Sequence, residues 1–118
     1  MPYAYRKSER LRKGREISEV MKRGKRLSVD GLSLFYAENG TADFRVGIAV
    51  GGRLANAVKR NALRRRIRSS VMKAIGSASR GYDLVIVARQ GLVGAASDRI
   101  GNAVRTALTK TVLGAKQP

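Results

Sequence analysis

The side chains able to do chemistry in this sequence are overwhelmingly cationic. They are densest in Lys59-Arg60-Asn61-Ala62-Leu63-Arg64-Arg65-Arg66-Ile67-Arg68, where six of ten residues are basic and none is acidic. Guanidinium groups donate paired hydrogen bonds to phosphate oxygens, so such a run suits the binding of a phosphodiester backbone. The groups needed to cleave one are missing. There is no His and no Cys, which removes the commonest general base, thiolate nucleophiles, disulfides and thiolate metal sites. No Asp or Glu lies between Asp43 and Asp83, whereas metal-assisted hydrolysis of a phosphodiester needs metal-binding carboxylates or a His pair. The sequence reads as a polyanion binder with no active site of its own.

The balance of the whole chain agrees. Lys and Arg outnumber the acids 25 to 8, for a formal charge of +17, and a polyphosphate partner is the leading explanation of that excess. The 118 residues fit one domain, 1–118, with a modest core built from Val, Ile, Leu and Ala, because aromatic residues are few and Trp is absent. No stretch approaches the roughly 18 apolar residues of a transmembrane helix. Met1 to Lys13 is basic with no apolar run after it, so it does not read as a secretory signal, and the expected location is the cytoplasm.

The basic run must be held by a helix. Leu63, Ile67 and Val71 recur every four residues, and at 100° per residue Ala74 and Ile75 join them on one arc. Arg64, Arg65 and Arg68 fall along one flank of that arc; Lys59, Arg66 and Lys73 fall along the other. The plain alternative is a solvated helix face, but such faces mix signs, and here no carboxylate stands at i±3 or i±4. The spacing predicts this helix from Ala57 to Ile75, with Gly76 at its end. Its apolar arc is narrow for a membrane-active helix. A DNA-binding helix-turn-helix would need a short turn between two helices, and the segments on both sides read as strands.

Residues 1 to 13 carry Arg6, Lys7, Arg10, Arg12, Lys13, Tyr3 and Tyr5 without periodicity, and read as an arm that orders on its partner or as a frayed terminus. Ile17, Val20 and Met21 give a short amphipathic helix from Gly14 to Arg23, ended by Gly24. Leu32, Leu34 and Tyr36 alternate with Ser33, Phe35 and Ala37, predicting a strand. After the turn residues Asn39-Gly40, Phe44 to Val50 predicts a second strand paired antiparallel with the first. Gly51-Gly52 reads as a turn, since the rest of a nucleotide-binding fingerprint is absent. Tyr82 to Ala88 is a nearly continuous apolar run, expected for a strand buried on both faces and parallel to Phe44–Val50. Ser97-Asp98 is the expected cap of a last helix with Ile100, Ala103, Val104, Ala107, Leu108 and Val112 on one stripe, closed by Gly114. The resulting order is α-β-β-α-β-α, an α+β sandwich.

Leu54, Ala57, Arg60, Asn61, Leu63, Arg64, Arg65, Ile67 and Arg68 closely resemble the signature of the bacterial ribonuclease P protein family. The likeness extends through Leu11-Arg12-Lys13, Arg45 to Val50 and Gly81 to Arg89. The chain departs from the family at Ala62 and Gly51-Gly52, where many members are basic, and at Ile17 and Met21, where the family has aromatic residues. The resemblance implies a two-layer α/β sandwich like the second domain of ribosomal protein S5, with a mixed four-stranded sheet and a left-handed strand-helix-strand crossover. General experience of such crossovers favours the right-handed form. It implies a subunit of a ribonucleoprotein endoribonuclease that hydrolyses the 5′ leader from precursor transfer RNA and leaves a 5′-phosphomonoester. The catalytic groups would lie on the RNA, Mg2+ would serve the holoenzyme, and the polypeptide alone would bind no cofactor. The implied partners are the catalytic RNA and precursor transfer RNA, with neither membrane nor DNA.

By the same resemblance Arg60, Asn61, Arg64, Arg65 and Arg68 contact the catalytic RNA, with Arg53, Lys59 and Arg66 as further cations of that surface. Ile17, Met21 and Phe35 correspond to a cleft for the single-stranded leader. The plain alternative for Ile17 and Met21 is helix core, and for Phe35 an inward strand residue. The competing function is a ribosomal or other structural RNA-binding protein without a part in any reaction.

Overall fold

Hydrophobic alternation along the strands builds two different faces on one sheet. The computed structural model describes residues 14–76 and 81–113. Its elements run α1 (Gly14–Arg23), β1 (Lys25–Val29), β2 (Leu32–Glu38), β3 (Arg45–Val50), α2 (Ala57–Ile75), β4 (Tyr82–Ala88), a 3-10 turn at Gln90–Leu92, and α3 (Ser97–Thr109). The basic arm expected at 1–13 and the closing Gly114 lie outside the described residues.

The four strands form one mixed sheet in the order β1-β2-β4-β3. Leu32 and Leu34 of β2, Val46 and Val50 of β3, and Leu84 and Ile86 of β4 point to one face. There they pack with Leu63, Ile67, Val71 and Ile75 of α2 and the Ile100, Ala103, Val104, Ala107 and Leu108 stripe of α3. Burial of that continuous apolar surface is the main term holding the fold. The alternate residues form a smaller cluster on the opposite face, where Ala37 and Val85 pack with Val20 of α1, joined by Ile17, Phe35 and Val87. One short helix therefore covers part of a face that would otherwise be open.

Three expectations need correction. The strand at Leu32–Glu38 does not pair with Arg45–Val50. It pairs antiparallel with β4, and β3 pairs parallel with β4 on β4's other edge. A strand buried on both faces takes the interior position, and the segment between β2 and β3 is long enough to leave room for it. The Asn39 N–H donates to the Gly81 carbonyl (2.9 Å). Gly81 passes so close to the Thr41 carbonyl oxygen that a Cβ would lie 2.0 Å from it, so only glycine fits there.

The second correction is β1, which the periodicity reading missed. It pairs antiparallel with β2 from Lys25↔Tyr36 to Val29↔Leu32. The connecting residues Asp30 and Gly31 both have positive φ, 37° and 86°, as a two-residue hairpin turn requires. Third, Ser97 and Asp98 do not cap α3. The capping position is Ala96, with no side-chain hydrogen bond, and Asp98 sits in the first turn, where its charge favours the helix dipole.

Candidate nucleic-acid interface

The basic helix is anchored at both ends before its cations come into play. Asn56 accepts a hydrogen bond from the Lys59 N–H (2.9 Å) as N-cap, and the Gly76 N–H closes the other end on the Met72 carbonyl. With Leu63, Ile67, Val71 and Ile75 buried, the remaining faces are fixed in direction. Lys59, Arg65 and Arg66 are exposed, as is Arg53 in the preceding loop, while Arg64 and Arg68 are half-buried. Asn61 accepts from Arg64 Nη1 at 2.6 Å and so orients that guanidinium.

Arg60 behaves differently from its neighbours. At 100° per residue it falls on the buried arc with Leu63 and Ile67, and its guanidinium turns back into the loop before the helix. Its Nη1 donates to the Gly52 carbonyl (3.2 Å) and the Ala55 carbonyl (2.8 Å). Within the run it is the residue that shapes the loop carrying Arg53.

The second region lies on the α1 face of the sheet. Ile17 and Phe35 meet there, packed with Val20, Ala37, Val85 and Val87, and Phe35 is half-buried. Met21, one turn after Ile17, is 39% exposed and outside that cluster. Four residues that sequence reasoning did not single out as site residues, Val87, Arg26, Arg89 and Ser33, flank Phe35. Val87 shares its side of the sheet. Arg26, opposite Phe35 in register, places its Cζ 5.8 Å from the ring centroid. Arg89 donates to Ser33 Oγ from Nε (3.1 Å) and Nη2 (2.9 Å). The signals were the Asp30-Gly31 turn, which reveals β1 and Arg26, and the strand period of two, which aligns Ser33 with Phe35 and Val87 with Arg89.

At the other end of this face a charge network ties α1 to the sheet. The buried Asp83 carboxylate accepts from Arg45 Nε and Nη2, both 2.8 Å, and from Asn39 Nδ2 at 2.9 Å. Arg23 of α1 stands 3.9 Å from it and Glu16 of α1 stands 3.8 Å from Arg45. Burial pushes the Asp83 carboxyl up, but hydrogen bonds from Arg45 and Asn39 and the nearby charges of Arg45 and Arg23 outweigh it and hold the group below the usual carboxylate range. Among the described residues no three His, Cys, Asp or Glu side chains gather to hold a metal ion, and no helix is long and apolar enough to cross a membrane.

The cationic helix thus lies on one face of the sheet, and the partly buried apolar cluster of Ile17, Phe35 and Val87 on the other. The family model described as Ribonuclease P matches residues 5–112. The chain belongs to the ribonuclease P family. A ribonuclease P protein component from Streptococcus pyogenes serotype M49 is 34% identical over 87 residues, spanning 74% of this chain and 72% of the relative. Among solved structures, a Staphylococcus aureus RNase P protein mutant described as defective in mRNA degradation activity superposes with a TM-score of 0.81. It is 27% identical, with 90% of each chain covered. The RNase P protein from Thermotoga maritima gives 0.78 at 26% identity, with 86% of this chain and 96% of that one covered. The family match over residues 5–112 spans both regions described above.

Proposed function

We propose that this chain is the protein subunit of ribonuclease P, a ribonucleoprotein endonuclease of the cytoplasm. On this reading it binds the catalytic RNA and the 5′ leader of precursor transfer RNA, and the RNA supplies the reacting groups. The observation that carries the proposal is the pairing, in a member of this family, of two separate surfaces: the α2 flank of Arg64, Arg65 and Arg68, and the α1–sheet cleft around Phe35. The guanidinium groups on α2 take phosphates of the catalytic RNA, with Asn61 holding Arg64 in position. A leader base stacks on Phe35, Ile17 and Val87 wall it in, and Met21 stands at the margin. Arg26 and Arg89 meet the phosphates on either side of the stacked base.

In the reaction, water adds to the phosphorus at the leader junction and the leader's 3′ oxygen departs, leaving the 5′-phosphomonoester on the transfer RNA. The Mg2+ used by the holoenzyme would sit on the RNA, a reading supported by the described residues, among which no three His, Cys, Asp or Glu side chains gather to hold an ion. The protein contributes orientation and charge neutralisation. Its partners are the catalytic RNA and precursor transfer RNA, with no role for DNA or a membrane.

The test is reconstitution. Purified protein added to its cognate catalytic RNA at low magnesium should restore 5′ cleavage of a precursor transfer RNA. A structural RNA-binding protein would bind RNA and leave the rate unchanged. The activity named for the Staphylococcus aureus relative sets a second arm: protein rigorously freed of RNA should leave both precursor and messenger RNA intact. Cleavage by that preparation would overturn the assignment of the chemistry to RNA.

A further inference from the structure

The opposite flank of α2 lines a groove that the proposed function leaves unused. Arg66, Ser69, Ser70 and Lys73 stand at i, i+3, i+4 and i+7, so they form one row along α2. Facing them, Asp98, Gly101, Asn102 and Arg105 stand at the same spacing along α3, and the two rows enclose an open groove of about 660 Å³. The middle of each row is small, and the helices approach there, a Cβ at Gly101 lying 3.7 Å from Ser70 Oγ; the ends carry charge. Three cations line the groove against one carboxylate, Asp98. Among the described residues the side chains of Arg66 and Lys73 have no hydrogen-bonded or ion-paired partner, while Arg105 is oriented by a hydrogen bond to Asn102 Oδ1.

We propose that this α2–α3 groove binds the phosphodiester backbone of a second RNA segment, distinct from the one held by Arg64, Arg65 and Arg68. The inference rests on the RNA-binding reading above and extends it. Arg66 and Lys73 are separated by seven residues, about 10 Å along the helix axis, so a linear polyanion lying in the groove meets one cation near each end. The hydroxyls of Ser69 and Ser70 donate from the floor between them. Arg105 closes the third side. No large apolar side chain lines the groove, so it does not suit an amphipathic protein helix, which needs apolar anchors. The seam of Leu63, Ile67 and Val71 separates this flank from that of Arg64 and Arg68. RNA segments on the two flanks therefore lie on different sides of α2, and the helix acts as a bridge between them.

The absence of Cys permits a direct test in the assembled holoenzyme. A hydroxyl-radical-generating iron chelate is tethered at Ser69→Cys in the groove, and in a separate protein at Met72→Cys, beside Arg65 and Arg68. Catalytic RNA and precursor transfer RNA are end-labelled in turn, which identifies the strand in the groove. The Ser69 probe should cut one RNA at backbone positions different from those cut by the Met72 probe. Those cuts should disappear when Arg66, Lys73 and Arg105 are all changed to Gln. The same triple variant, shown by thermal unfolding to be folded, should bind its RNA at least tenfold more weakly. Its salt slope should fall by about 0.7–0.9 per lost phosphate contact. Cuts from the Met72 probe with none from the Ser69 probe would overturn the groove assignment alone, as would unchanged affinity and slope in the triple variant. Absence of cuts from both probes would overturn the RNA-binding reading beneath it.

Discussion

Replacing Arg45 should destabilise this protein more than replacing the acid it serves. The Asp83 side chain is 2% exposed, while that of Arg45 is 34% exposed. Arg45→Ala therefore strands a buried carboxylate with Asn39 as its one direct side-chain donor and Arg23 3.9 Å away, whereas Asp83→Asn leaves a cation that water can solvate. Breaking a buried pair from one side costs about 3–5 kcal/mol, and the partly exposed Arg45 places this pair at the low end, about 3 kcal/mol. For a chain of this length that corresponds to a fall in Tm on the order of 10 °C. Adding Asp83→Asn to Arg45→Ala should recover part of the loss, because the stranded charge is then gone. The pH dependence follows from the same pair. The folded Asp83 binds its proton less readily than an unfolded carboxyl, so its contribution is complete above the ordinary carboxylate pKa of about 4. It is lost as pH falls through the lower folded value, and Arg45→Ala should flatten that slope. Urea unfolding of the four proteins at neutral and acidic pH measures both effects. If Arg45→Ala costs under about 1 kcal/mol, a value ordinary for an exposed pair, and the double variant recovers nothing, the carboxylate is effectively hydrated and the reasoning fails.

Changing Arg64, Arg65 or Arg68 singly to Ala should weaken catalytic-RNA binding and lower the salt slope by about 0.7–0.9 per lost contact; unchanged slopes in all three would mark an ordinary solvated face. Leu63→Ala should instead lower fold stability by about 2–5 kcal/mol, read by thermal unfolding. Arg60→Ala should increase hydrogen exchange across 51–56 and cost about 1 kcal/mol of stability, while leaving the salt slope near wild type because its Nη1 is spent on loop carbonyls. Phe35→Ala should cost about 1–3 kcal/mol of affinity for a precursor with a long leader and far less with a one-nucleotide leader. Equal losses for both leaders would make Phe35 a packing residue only.

The helix that dominates the sequence was the most legible element, because a period of four at Leu63, Ile67 and Val71 is a local signal and both ends carry local caps. The existence of β2, β3 and β4 was legible for the same reason, while the five-residue β1 was not read. Strand neighbours were not: pairing depends on which strand occupies the interior, and β4 lies far along the chain from the strands it separates. The run of Tyr82 to Ala88 did carry the information, since a strand buried on both faces needs a neighbour on each side, and that leaves no place for β2 beside β3. On the α1 face, Ile17 and Phe35 pack against one apolar cluster and Met21 stays outside it. Arg26 and Arg89 did not stand out, because the first lies on an unrecognised strand and the second follows the end of one. The inward turn of Arg60 was legible in principle from its angle on the helix, but a run of like charges draws attention to charge before position.

The placement of the acids argues that the cations of α2 are there for a partner. Asp83 and Glu16 hold Arg45, and Asp30 in the β1–β2 turn holds Arg99 of α3 (2.8 Å), so these three acids pair with cations that join elements of the fold. None stands on α2. Within that helix the like charges raise the free energy of the folded protein, and the seam of Leu63, Ile67, Val71 and Ile75 would bury the same apolar surface if they were neutral. Apart from Arg60, which holds the preceding loop, this charge opposes folding and gains its compensation from outside the chain. A strand of phosphates supplies that compensation, and because α2 is docked rigidly on the sheet, neutralising its flank also fixes the RNA relative to the cleft on the opposite face.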